Sequence, residues 1–77
     1  MKSMYWYAVL DSNDEILDQG TINANSVEDA SREFKRRFRK LWTAGQRLCV
    51  FSSYEAYVFY IKKGNYQWID PKDIIKL

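Results

Sequence analysis

The chain has 77 residues, 47% of them hydrophobic and 17% aromatic, which suits one small globular domain (residues 1–77) and leaves no room for a second core. It contains no histidine and one cysteine, so an intrachain disulfide, a Cys/His zinc site and a triad or general base built on histidine are excluded. The net charge of +2 hides a segregation, because residues 1–31 carry one basic and six acidic side chains whereas residues 32–47 carry seven basic and one acidic.

The single cysteine and the hydropathy pattern bear on the cellular compartment. Cys49 lies in the apolar run 48–51, where a small buried hydrophobe is expected rather than a nucleophile. An unpaired cysteine favours a reducing compartment. No stretch approaches the roughly 20 apolar residues of a membrane span, and the first residues lack a continuous apolar signal core. We therefore expect a cytoplasmic protein that does not bind a membrane.

Residues 4–23, in the acidic first part of the chain, are predicted to form a β-hairpin. Residues 4–10 are aromatic and β-branched, as strand residues often are. Four turn-forming residues follow at 11–14, and strand character returns at 15–23. Gly20 in the second strand indicates a β-bulge or a close packing contact.

A single long helix is predicted after the hairpin. Ser26 fits the N-cap position, and Asp29 three residues later makes an acidic variant of the capping box. Residues 43–45 supply the stop, with Gly45 as a left-handed cap. Apolar residues three or four apart form one stripe, at Val27, Ala30, Phe34, Phe38 and Leu41.

The last third of the chain predicts three more strands, at 47–53, 56–62 and 66–69. Asp70 and Pro71 then fit an N-cap and a first helical position, so a short helical turn is expected over 71–75. The resulting order, ββαβββ, predicts an α+β fold with an antiparallel sheet of about five strands and the amphipathic helix packed on one face. The other face of the sheet is expected to be solvated or to form a binding surface.

The most distinctive candidate site is the basic outer face of the helix, which points away from the apolar stripe. Clustered cations of this kind bind either nucleic-acid phosphates or an acidic protein surface. The alternative is an ordinary solvated face, which the Glu28–Arg32 and Glu33–Arg37 spacings support. The candidate partner-binding residues are Arg32, Lys35, Arg36, Arg39, Lys40 and Arg47, with Arg37 flanking the stripe.

The aromatic residues are a second candidate. Rings exposed on a sheet can stack on bases or anchor a protein interface, whereas in a small domain most rings fill the core. Alternation along the strands places rings on both faces, so we expect most to be core and the remainder to contact a partner. The candidates for aromatic contacts are Trp6, Tyr54, Tyr57, Tyr60, Tyr66 and Trp68.

Catalytic and metal-binding patterns are missing. The carboxylates around the first turn (Asp11, Asp14, Glu15 and Asp18) lack the glycine and the terminal glutamate of a calcium loop and are expected to be solvated. There is no Gly-rich phosphate loop, no nucleophile elbow and no acid–base pair identifiable by spacing. We therefore expect a protein that is not an enzyme and that uses no metal or other cofactor.

Two runs carry a family resemblance. The run Ala24-Asn25-Ser26-Val27-Glu28-Asp29-Ala30-Ser31-Arg32 enters a helix after a hairpin, and a late predicted strand ends in Tyr66-Gln67-Trp68-Ile69-Asp70. Together they are similar to small phage proteins of the anti-CRISPR type that inhibit type I-F surveillance complexes. The resemblance implies a short antiparallel sheet with one helix, in a phage or mobile-element inhibitor that docks on a host protein assembly. The basic helix is then the candidate docking element.

The sequence thus leads to three hypotheses. The favoured one is a non-enzymatic inhibitor or adaptor that binds a host protein or ribonucleoprotein complex through the basic helix face and exposed aromatics. The alternative is a small module that binds RNA or single-stranded DNA through the same helix. The third is a structural or self-associating subunit. A monomer or a small homo-oligomer is compatible with the first two.

Overall fold

The structure, a computed structural model, describes residues 2–39 and 43–75. The predicted hairpin is confirmed: β1 (Ser3–Leu10) pairs antiparallel with β2 (Ile16–Ala24). Asp11 closes the turn, since its Oδ1 accepts hydrogen bonds from the backbone N–H groups of Asn13 (2.8 Å) and Glu15 (2.9 Å). The pairing shifts register where β1 passes from Val9 to Leu10, so a β-bulge lies early in β2 and not at Gly20.

Helix α1 (Val27–Phe38) begins where its capping residues predicted. Ser26 Oγ accepts a hydrogen bond from the backbone N–H of Asp29 at 3.1 Å. Ala30 and Phe34 are buried against the sheet, and Val27 packs beside them. Leu41 and the side chain of Phe38, the last members of the predicted stripe, lie outside the described residues. Gly45 adopts the left-handed conformation expected of it, with φ of 88°.

The described strands form one antiparallel sheet in the order β2-β1-β3-β4, where β3 is Arg47–Phe51 and β4 is Ile74–Ile75. The chain passes from β2 through α1 to β3, and β1 lies between those two strands. Asp70 caps a 3₁₀ turn, as expected, but the turn covers Pro71–Asp73 and not 71–75, because Ile74 and Ile75 pair with β3 as β4. The α+β fold is confirmed, with four described strands in place of about five.

The predictions of strands at 56–62 and 66–69 are wrong. Helix α2 (Tyr54–Tyr57) continues into a π-helical turn (Val58–Lys62), and Tyr66–Trp68 is a 3₁₀ turn. Ser53 starts the helix by accepting a hydrogen bond from the backbone N–H of Ala56 at 3.1 Å. We call residues 54–62 the second helical segment. Its buried side chains, Tyr57 and Ile61, are four residues apart, a helical rather than a strand spacing.

The second helical segment covers the sheet face that was expected to stay open. Tyr5, Tyr7 and Val9 of β1 face α1, whereas Ala8 and Leu10 face Tyr57 and Ile61 of the second helical segment and Ile69 beyond it. Strand alternation therefore divides the core into two clusters, one on each side of the sheet. The molecule has three layers: α1, the sheet and the second helical segment. No helix in the described part of the chain has the length and apolar character needed to cross a membrane.

Candidate interaction surface

The basic residues of α1 that the structure describes lie on its solvent-facing side. Arg32 and Arg36 have side chains that are 77% and 76% exposed, and they lie one helical turn apart. Lys35 and Arg39 are also exposed. The placement of this basic face was predictable from the helical wheel alone. Lys40, another candidate, lies outside the described residues.

Acidic residues of the same helix partly neutralise this face. Arg32 pairs with Asp29 at 3.0 Å, and Arg36 Nη2 donates to both carboxylate oxygens of Glu33 at 2.6 Å. The hydrogen bond from Arg36 holds the pKa of the Glu33 carboxyl below its ordinary value. Each guanidinium has five N–H donors, so these pairs leave donors available to a ligand. Lys35 and Arg39 form no ion pair within residues 2–39 and 43–75.

Arg47 has a different setting from the helix cations. It stands at the start of β3, where its guanidinium donates to the backbone carbonyl of Asp11 at 2.9 Å and forms an ion pair with Asp14. Asp14 lies in the hairpin turn and has a φ of 63°, in the left-handed region. Arg47 thus joins β3 to the β1–β2 turn, a role that its position in the sequence did not reveal.

The aromatic candidates lie mainly on the side of the sheet opposite α1. Tyr57 is only 5% exposed and fills the core, so it is not available to a partner. Trp6, Tyr60 and Tyr66 are half-buried around the same cluster, whereas Tyr54 and Trp68 are 55% and 66% exposed. The Trp6 and Tyr54 rings lie 5.7 Å apart. The structure therefore separates the aromatic candidates from the basic face instead of joining them into one surface.

Three of the four acidic residues around the first turn have side-chain contacts. Asp11 caps the turn, Asp14 pairs with Arg47, and Asp18 accepts a hydrogen bond from Tyr7 Oη at 3.4 Å. No cluster of three or more His, Cys, Asp or Glu side chains suited to a metal ion occurs within the part of the chain that the structure describes.

The folded chain also forms a groove that the sequence did not reveal. Its volume is about 720 Å³, and it lies between α1 and residues 21–24 of β2, which is an edge strand of the sheet. Arg32, Arg36 and Arg37 line the groove, whereas Lys35 and Arg39 do not. The full lining is Lys2, residues 21–24 of β2, Asn25, Asp29, Arg32, Glu33, Arg36 and Arg37.

In comparisons with known proteins, the chain matches no protein-family model, no curated protein and no solved structure.

Proposed function

We propose that this chain is a non-enzymatic binding protein that docks on an acidic surface of a protein partner through the basic face of α1. The observation that carries the proposal is the concentration of exposed cations on one short helix. Arg32, Lys35, Arg36 and Arg39 fall within eight residues, and only Glu33 lies among them as an opposing charge. A surface shaped only by solubility usually intersperses the two signs.

A protein partner is favoured over a nucleic acid because of the layer arrangement. A single-stranded nucleic acid is typically held by cations on its phosphates and by aromatic rings on its bases. The exposed ring of Tyr54 and the half-buried ring of Trp6 that it contacts lie on the side of the sheet opposite α1. Arginine also pairs well with the carboxylates of a protein surface, through two parallel hydrogen bonds.

The narrower form of the proposal is an inhibitor, encoded by a phage or mobile element, that docks on a host protein or ribonucleoprotein complex. It is supported by the resemblance of the run from Ala24 to Arg32, which caps and begins the same helix. The other half of the resemblance, Tyr66 to Asp70, gives less support because Tyr66–Trp68 is a 3₁₀ turn and not a strand.

Affinity capture with charge variants tests the proposal. The immobilised chain is incubated with nuclease-treated bacterial lysate beside a variant with Arg32→Gln, Lys35→Gln, Arg36→Gln and Arg39→Gln. Glutamine keeps helix propensity while it removes charge. The control Lys62→Gln/Lys63→Gln removes exposed charge from the last residue of the second helical segment and from the residue that follows it. We expect a protein partner that the wild type and the control retain and the α1 variant loses.

Two results would contradict the proposal. One is retention of the same partner by the α1 variant, which would show that the basic face is not the docking element. The other is recovery of RNA or DNA in place of protein when nuclease is omitted, with affinity that falls steeply as salt rises. Sedimentation of the purified chain as a stable oligomer without any ligand would instead favour a self-associating subunit.

A further inference from the structure

No strand among residues 2–39 and 43–75 pairs with the outer edge of β2. β2 is the edge strand next to α1, and its nine residues include a β-bulge and Asp18 in the first part. Bulges and charges are the usual protections against pairing with another chain. Residues 19–24, which form the second part, contain neither a charge nor a proline. Residues 21–24 of this unprotected half line the groove.

The groove lies beside a stretch of extended chain. Residues 21–25 line one side of it, and residues of α1 line the other. Residues 21–24 belong to β2, whose outer edge is the place where a further strand would add. At roughly 3.3 Å per residue, residues 21–25 extend over about 15 Å, enough for five residues of an added strand. Addition of a strand to a sheet edge beside a helix is a known mode of peptide recognition, in which main-chain hydrogen bonds supply affinity.

The charges around the groove select the ligand. Four basic residues line it, Lys2, Arg32, Arg36 and Arg37, against two acidic residues, Asp29 and Glu33. Side chains of an added strand alternate between the two sides of the sheet, so every second one faces α1 and its arginines. Pairing with a second copy of the chain would bring two basic grooves together, which disfavours that occupant.

We propose that this groove binds an extended segment of a partner protein, with acidic residues at alternate positions, that adds to the sheet as a strand beside β2. The inference rests on the proposed function, because it assigns the partner's contact with α1 to one defined segment. The carboxylates of the segment accept hydrogen bonds from Arg32 and Arg36, while its backbone pairs with residues 19–24. Residues 19–24 of β2 and the arginines of α1 then bind the same segment, the first through its backbone and the second through its carboxylates.

A synthetic peptide tests the geometry. The probe is a blocked octapeptide in which glutamate alternates with threonine, and the control has the same composition with its four glutamates consecutive. Binding is followed by the shifts and hydrogen exchange of backbone amides in ¹⁵N-labelled protein. We expect the alternating peptide to shift amides within residues 19–25 and slow their exchange, and the control to bind about tenfold more weakly.

Matched variants identify the contacts on α1. Arg32→Gln/Arg36→Gln is expected to weaken binding of the alternating peptide about tenfold. Lys35→Gln/Arg39→Gln removes the same amount of charge from outside the groove. It is expected to weaken binding of the alternating peptide by less than about threefold, through loss of long-range attraction. Circular dichroism of both variants checks that α1 remains folded.

Several results would overturn the strand-addition proposal. They are absence of peptide binding, equal binding of the two peptides, or binding that leaves the β2 amides unchanged. If the β2 amides that point away from β1 are protected from exchange in the free protein and sedimentation shows a dimer, the groove belongs to a second copy. A captured partner whose binding requires the basic face of α1 but does not perturb the β2 amides would contradict strand addition. The proposed function would not be contradicted by that result.

Discussion

The Tyr7 side chain lies against Gly20 on the neighbouring strand, with which it is directly paired. A Cβ atom on Gly20 would lie 3.2 Å from Tyr7 Oη and 3.4 Å from two of its ring carbons. The ring has little room to move, because its centroid is 4.7 Å from that of Phe34 in an edge-on contact with α1. Gly20 therefore lies in a close packing contact, one of the two reasons expected for it, and a Cβ atom there would need the Tyr7 side chain to shift by a few tenths of an ångström.

Gly20→Ala should lower the free energy of unfolding by about 1 kcal/mol. Crowding of a packed core typically costs more than this, and the reduced entropy of the unfolded chain offsets part of it. Urea denaturation measures the effect. In a Tyr7→Phe background, which lacks the hydroxyl oxygen nearest to the new Cβ atom, Gly20→Ala should lower the free energy of unfolding clearly less. An equal cost in the two backgrounds would show that the Tyr7 hydroxyl is not what limits the space.

Tyr57→Phe should lower the free energy of unfolding by about 1 kcal/mol, the usual net contribution of a hydrogen bond. The Tyr57 hydroxyl donates to Gln19 Oε1 at 2.6 Å, which fastens the second helical segment to β2. Tyr54→Phe is the matched control, because the exposed Tyr54 hydroxyl has no hydrogen bond within the described residues. Equal effects of the two substitutions in urea denaturation would contradict the role of this contact.

The hairpin and α1 were predictable because their signals are local. Asp11 in a turn, Ser26 at an N-cap and apolar residues three or four apart specify structure within one or two turns of chain. Residues 56–62 show where local signals conflict. Their aromatic and β-branched composition favoured a strand, whereas Ser53 before them, Gly64 after them and the spacing of Tyr57 and Ile61 favour a helix. For a short apolar run such as this, packing against the sheet decides whether the chain forms a strand or a helix.

The candidate site likewise has one part that was predictable from local sequence and one part that depends on long-range pairing. The cations of α1 follow from helical periodicity, so the wheel placed Arg32 and Arg36 correctly on an outer face. The groove requires β2 to be an edge strand beside α1, and this depends on long-range pairing of β1 with β3. Sequence patterns carry little information on strand order, so neither the groove nor the contribution of Lys2 was foreseen. The same pairing gave Arg47 its contact with the hairpin turn.

Ser53→Ala should lower the free energy of unfolding by about 1 kcal/mol if residues 54–62 are helical, because it removes the N-cap acceptor of the Ala56 N–H. In an extended strand the same substitution has no cap to remove and should be nearly neutral. Ser52→Ala is the matched control, since Ser52 is exposed and accepts no capping hydrogen bond within the described residues. A difference in unfolding free energy close to zero between the two variants would contradict the helical start.

The stability of the protein should fall between about pH 9 and pH 11 through the thiol of Cys49. Burial raises the pKa of Cys49 from 9.0 to about 11. Across this range the unfolded chain releases the thiol proton while the folded chain keeps it, so the unfolded state binds fewer protons and is favoured as pH rises. The stability that the buried, protonated thiol contributes is present in full below about pH 9. Its complete loss at high pH lowers the free energy of unfolding by about 3 kcal/mol.

Cys49→Ala isolates this contribution. The substitution shifts stability by an amount that does not depend on pH, and the buried hydroxyls of Tyr7 and Tyr57, whose pKa values burial also raises, titrate in both proteins. We therefore expect the difference in unfolding free energy between wild type and variant to be nearly constant below pH 9 and to change by about 2 kcal/mol by pH 11. In the native protein at pH 8 the thiol should also resist alkylation by iodoacetamide, since it is buried and protonated. Parallel stability curves for the two proteins, together with rapid alkylation, would show that Cys49 is exposed to solvent and not part of the core.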